Sequence, residues 1–127
     1  MDETRHLAED GAPEGSVGIA EEQTKGRGRF DRKWISPVGV NLSLSVLFRP
    51  KISHLPFINM AAALSICDAV RDQAKLSPEI KWPNDVRING KKLSGILVET
   101  EVQGGEVIHA VVGIGLNINL DPRGHSE

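Results

Sequence analysis

The stretch Glu21-Glu22-Gln23-Thr24-Lys25-Gly26-Arg27-Gly28-Arg29-Phe30-Asp31-Arg32-Lys33-Trp34 concentrates positive charge as no other part of the chain does. Between Lys25 and Lys33 five basic residues stand against one acid, Asp31, in a 127-residue chain whose net charge is −2. Gly26 and Gly28 alternate with Arg27 and Arg29, and glycine allows positive φ and close approach of the backbone to a ligand. Successive N–H groups in such a loop form an anion-binding concavity, and flanking guanidiniums fork onto carboxylate or phosphate oxygens. The loop therefore predicts an anion site, with a solvated basic turn and a DNA-contacting element as the alternatives. Neither common nucleotide signature is present: the Walker pattern is absent, and the dinucleotide fingerprint would need a third glycine where Asp31 stands.

Working outward, the composition is that of an ordinary globular domain, with 39% hydrophobic and 25% charged residues. The pI of about 6.1 argues against general nucleic-acid affinity, so any polyanion contact must come from the basic loop. No apolar run that would span a bilayer is expected, nor a signal peptide in Met1 to Leu7, so the chain is placed in the cytoplasm. Its single cysteine, Cys67, rules out an internal disulfide framework and reads as a buried structural thiol.

Asp2 to Asp10 reads as a short amphipathic helix, and Ser16 to Glu22 as a strand leading into the loop. Asn41 to Phe48 alternates polar and apolar residues, the pattern of a half-buried strand. A core helix is expected from Pro56 to about Lys75, buried through Phe57, Met60, Ala61, Leu64, Cys67 and Val70. Glu79 to Trp82, Val86 to Ile88, Lys92 to Thr100 and Glu106 to Val112 read as strands, with Asn89-Gly90 as a type I′ hairpin turn. The order predicts an α+β fold: a mixed, largely antiparallel sheet with its helices on one face.

Two further stretches carry candidate chemistry. Lys81-Trp82-Pro83-Asn84-Asp85 presents a cation, an amide and a carboxylate from a proline corner, and the carboxylate suits Mg²⁺ or a ribose hydroxyl. In Lys91 to Glu99, Lys92 opens a strand and Gly95 leaves room for a planar ligand. The plainer readings are a Pro-Asn-Asp turn and a solvated lysine pair at a strand edge.

Together with Gly113-Ile114-Gly115-Leu116-Asn117-Ile118-Asn119, these motifs in this order resemble the catalytic domain of biotin protein ligases (biotin–[acetyl-CoA-carboxylase] ligase). The resemblance runs from about Asp2 to Asn119. It implies two steps: biotin and ATP give biotinyl-5′-AMP and pyrophosphate, and a lysine of a biotin carboxyl carrier protein domain then attacks the adenylate. By the same resemblance Gln23, Arg27, Gly28 and Arg29 match the biotin-binding loop, with Gly95 beside them. Lys92 matches the lysine that reaches biotin's carboxylate and the bridging phosphate oxygen. Lys92, Arg27 and Arg29 are thus the catalytic candidates.

Arg32, Lys81, Asn84 and Asp85 match positions serving ATP and its Mg²⁺, the metal falling to Asp85. Trp34 matches an aromatic near the adenylate and Asn117 a nucleotide-side asparagine. A homodimer is compatible with this reading. The rivals are a lipoate or octanoate transferase of the same general fold and a non-catalytic, DNA-contacting remnant.

Two departures stand out. Asp31 occupies a position where relatives usually have glycine. The family also places a strand and a Ser-Thr-Asn-type segment ahead of the first helix, and further structure after the last strand. Residues 1–127 are accordingly expected to be a single partial catalytic domain, without an N-terminal DNA-binding domain or a small C-terminal barrel, and with weak binding of biotin and ATP.

Overall fold

A computed structural model describes residues 1–119; the last part of the expected 1–127 domain, residues 120–127, lies outside the described residues. The elements are α1 (Asp2–Glu9), β1 (Val17–Ala20), β2 (Asn41–Phe48), α2 (Ile58–Ala74), β3 (Glu79–Lys81), β4 (Asp85–Ile88), β5 (Lys91–Gln103) and β6 (Glu106–Asn117). The strands form one sheet in the order β1-β2-β6-β5-β4-β3. The α+β class holds. Every pairing among the described strands is antiparallel, so the sheet carries none of the parallel pairing that a mixed sheet implies.

The helices do not share a face, contrary to expectation. On β6, Val112 belongs to a cluster with Ala63, Ile66 and Cys67 of α2, joined by Val86 of β4 and Ile96 of β5. The next residue back, Val111, packs with Leu47 of β2 and Ala8 of α1. Successive strand residues point to opposite faces, so α2 covers one side of the sheet and α1 the other. Periodicity shows which residues share a face, but not what will cover it. Fully burying a side chain such as Val86 or Leu47 contributes about 1.5–3 kcal/mol, so each cluster stabilises its own helix.

The buried stripe of α2 matches the expected one only in part. Cys67 is buried and Val70 packs against the cluster as expected, but Ala63 and Ile66 complete the stripe, whereas Phe57 is 67% and Leu64 49% exposed. Pro56 lies in a 3-10 segment, Ile52–Phe57, that precedes α2, rather than in the helix's own first turn. By length and composition alone Ile52–Ala74 is long and apolar enough to cross a membrane, where no such run is expected from the sequence. In the fold its Ala63-Ile66-Cys67 side packs on the sheet as a core helix does. Burial raises the Cys67 thiol pKa, which suits a structural thiol rather than a nucleophile.

On the α1 side the alternation of β2 has a use that a solvated polar face would not. Ser43 and Ser45 are buried, and their hydroxyls bond Ser36 (2.8 Å) and Thr4 (2.5 Å). The polar row of the strand thus anchors the start of α1 and the end of the basic loop. Buried hydroxyls are tolerated only when paired in this way. The hairpin between β4 and β5 has positive φ at Asn89 (50°) and Gly90 (77°), as a type I′ turn needs.

Candidate active-site cleft

The α1 side of the sheet is bare over its centre because its residues there are glycines. Gly95 of β5 pairs with Gly115 of β6, and Gly113 follows two residues before it on the same face. Trp34 lies across this floor. A Cβ on Gly115 would overlap the indole, one on Gly95 would come within 3.1 Å of Trp34 Cζ3, and one on Gly113 would collide with the Met1 side chain. β6 runs unbroken through Gly113 and Gly115.

The basic loop closes one side of a cleft of about 1000 Å³ above this floor. Bridges between Gln23 and Ser36 and between Arg27 and Lys33 fold it into a narrow hairpin. Gly26 and Gly28 serve by close approach rather than by positive φ: a Cβ on Gly26 would collide with the Trp34 carbonyl, and one on Gly28 would lie 3.3 Å from that of Arg32. The left-handed residues are Phe30 (φ 57°) and Asp31 (φ 59°). Asp31 thus takes the conformation for which glycine is the usual residue.

All twelve residues singled out from sequence line this one cleft: Gln23, Arg27, Gly28, Arg29, Arg32 and Trp34 from the loop side, and Lys81, Asn84, Asp85, Lys92, Gly95 and Asn117 from the sheet. Eight lysines and arginines line it against one acid, Asp85, although the chain as a whole is acidic. That imbalance makes the cleft a trap for anions.

Their connections assign each a local task. Arg27 is held by two carboxylates, Asp2 Oδ1 at 2.8 Å and Glu99 Oε1 at 2.9 Å. The hydrogen bond from Arg27 holds the Asp2 carboxyl below its usual range, and the same bond raises the guanidinium pKa. Arg29 Nη1 donates to Asn84 Oδ1 at 2.7 Å, and its guanidinium sits over the exposed Phe30 ring. Asn84 is buried, and its Nδ2 donates to the Ile96 carbonyl at 2.9 Å, so its amide is engaged within the protein. The peptide bond from Trp82 to Pro83, just before it, is cis.

Lys92 Nζ lies 3.7 Å from Asp85 Oδ1 and 5.3 Å from the centre of the Trp34 ring. Asn117 donates to the Lys92 carbonyl at 3.3 Å and accepts from Asn41 at 3.2 Å, which steadies the strand that carries the lysine. Arg32 and Lys81 are exposed at the rim. Trp34 Nε1 is buried without a partner. Sequence reasoning missed Asp2 and Glu99, because their partner Arg27 is 25 and 72 residues away; an acid inside the Leu-Val-Glu stretch of β5 was the one available signal.

A cationic loop over a glycine floor, with a lysine and a carboxylate at its edge, can be compared with known proteins. The profile of the biotin/lipoate A/B protein ligase family matches residues 2–117. The chain is 40% identical over 118 residues to the bifunctional ligase/repressor BirA of Bacillus subtilis, covering 91% of this chain and 36% of that protein. It is 41% identical over 106 residues to the biotin–[acetyl-CoA-carboxylase] ligase of Paracoccus denitrificans, covering 79% of this chain and 43% of that protein. Biotin protein ligase from Leishmania major, solved in complex with biotinyl-5-AMP, superposes with a TM-score of 0.79 at 29% identity, over 95% of this chain and 54% of that one. The chain thus spans well under two thirds of each of these proteins. With the match running from α1 to the end of β6 and taking in every wall of the cleft, the chain belongs to the biotin/lipoate A/B protein ligase family.

Proposed function

We propose that the cleft joins biotin to ATP as biotinyl-5′-AMP and passes the biotinyl group to one lysine of a biotin carboxyl carrier protein domain in the cytoplasm. The observation that carries this reading is the placement of Lys92 between the glycine floor and Asp85, beneath the arginine loop. A small acid seated in the cleft beside Trp34 would meet Lys92 with its carboxylate.

In the first step a biotin carboxylate oxygen bonds to the α-phosphorus of ATP and the bond to the β-phosphate oxygen breaks, releasing pyrophosphate. Bringing a carboxylate to a triphosphate in a shielded cleft costs several kcal/mol in repulsion. Lys92, Arg29 and Arg27, the last once released from Asp2 and Glu99, would offset it and would stabilise the more concentrated charge of the transition state best. In the second step the neutral amine of the acceptor lysine attacks the acyl carbon, AMP leaves, and the amine's proton passes to solvent.

Mg²⁺ fits this site only as a partner of the nucleotide. Among the described residues no group of three His, Cys, Asp or Glu converges, whereas Mg²⁺ at phosphates takes one or two carboxylates and draws other ligands from the substrate and water. Asp85 would be the protein's contribution, and the bound ion would screen the phosphate charge.

Isotope exchange between pyrophosphate and ATP tests the proposal on the 127-residue chain. Exchange that requires biotin, runs at a low rate in keeping with the weak binding expected from the sequence, is lost in Lys92→Ala, and is not supported by lipoate at equal concentration is the expected result. Exchange driven by lipoate or octanoate instead would assign the cleft to the other branch of the family.

A further inference from the structure

Arg87 takes no part in the adenylation step as described, yet it lines the same cleft. Its neighbour Val86 is buried in the α2 cluster, so alternation along β4 turns Arg87, like Asp85, to the opposite face. There it is the direct cross-strand partner of Lys92, at a spacing of about 5 Å between such partners. Its Nε is buried without a hydrogen-bond partner, and among the described residues it forms no ion pair, not even with Glu79, which stands opposite it on β3. A buried donor left unsatisfied on a charged group is costly, and two cations held side by side repel. Both costs are offset if an anion lies between them.

The strand order says which anion. Across the face run the glycine floor of β6 and β5, then Lys92 on β5, then Asp85 and Arg87 on β4, then Lys81 on β3. A small acid that lies on the β6 and β5 side of the cleft, beside Trp34, and meets Lys92 with its carboxylate leaves its reaction partner over β4 and β3. Arg87 and Lys81 are the cations there, set beside the carboxylates of Glu79 and Asp85.

We propose that Arg87 is a binding residue for the outer phosphates of the nucleotide, and hence for the departing pyrophosphate, acting with Lys81. This deepens the proposed function and rests on it for the identity of the nucleotide. Whatever the nucleotide, Arg87 grips a polyphosphate chain. In the reaction its guanidinium holds the oxygens that gain charge as the bond to the α-phosphate breaks.

Inorganic tripolyphosphate is the direct probe, titrated calorimetrically into the full 127-residue chain and its Arg87→Gln, Arg87→Lys and Glu79→Gln variants. The wild type is expected to bind it, Arg87→Gln to bind at least tenfold more weakly, Arg87→Lys to lose less, and Glu79→Gln to bind more tightly. In pyrophosphate exchange, Arg87→Gln should raise KM for ATP and pyrophosphate by about the same factor and leave KM for biotin within twofold. Wild type that does not bind tripolyphosphate, or Arg87→Gln that binds as well as wild type, overturns the proposal. Should Arg87→Gln fail to fold, unchanged affinity in both Arg87→Lys and Glu79→Gln overturns it instead. Loss of biotin-dependent exchange in the wild type, with tripolyphosphate binding and its Arg87 dependence intact, would count against the ligase reading alone.

Discussion

Arg27 Nη2 lies 2.8 Å from Asp2 Oδ1, and this contact joins one arm of the basic loop to the first turn of α1. Glu99 of β5 takes the same nitrogen at 2.9 Å, so one guanidinium links loop, helix and sheet.

The pairs are accessible, with side-chain exposures of 33–45%, and exposed pairs contribute about 0.2–1 kcal/mol each. Asp2→Asn and Glu99→Gln should therefore change global stability by less than about 1 kcal/mol each. Their effect should appear in the loop, as several-fold faster tryptic cleavage at Arg27 or Arg29. Since the Asp2 pKa is lowered on folding, its contribution is complete above the ordinary aspartate pKa and disappears as pH falls through the depressed value. Acid titration of wild type should show that loss, and Asp2→Asn should not.

Gly115→Ala places a methyl group inside the Trp34 indole. Overpacking of this kind costs about 1–3 kcal/mol, and the ring must leave the floor. In a Trp82→Phe background, which removes the exposed second tryptophan, the emission of Trp34 should shift to the red and the midpoint of urea unfolding should fall. Unchanged emission would mean that the indole does not rest on Gly115.

Asp31, at φ 59°, should respond to substitution by backbone conformation rather than by polarity. Alanine there should be less stable than glycine by about 1 kcal/mol, and valine less stable still. Asp31→Gly should stay within about 1 kcal/mol of wild type, because relief of the left-handed strain is offset by the freedom glycine brings to the unfolded chain. Removing the carboxylate should also tighten tripolyphosphate binding. Chemical denaturation and calorimetry read the two effects separately.

Asn84→Ala breaks the bond to the Ile96 carbonyl and frees Arg29. Losing a buried amide that pairs on both sides costs about 1–3 kcal/mol. The expected result is a lower Tm together with weaker biotin-dependent exchange. Arg29→Lys, which keeps the charge but not the planar fork, should lower exchange with little change in Tm.

Much of this was legible along the chain because it rests on local chemistry. The alternation of Asn41 to Phe48 is β2 residue for residue, and Asn89-Gly90 is the turn. The twelve site candidates came from four short motifs, and their convergence on one cleft follows from strand ends and hairpins that those motifs themselves form. The burial of α2 is legible only in part. Three-residue spacing points correctly to Cys67 and Val70 but also to Phe57, Ala61 and Leu64, which are exposed, whereas the sheet meets Ala63 and Ile66 beside Cys67, since an apolar helix offers more than one plausible stripe.

By itself the sequence determined the family, the strands, the turns and the cationic character of the cleft, all of which follow from residue type and spacing over a few positions. Tertiary structure alone decided that α1 and α2 cover opposite faces, that Trp34 lies on Gly95 and Gly115, that Asp2 and Glu99 restrain Arg27, and that Arg87 stands beside Lys92. Each of these depends on the register between distant strands, and a one-residue slip in that register would turn every such side chain to the other side of the sheet.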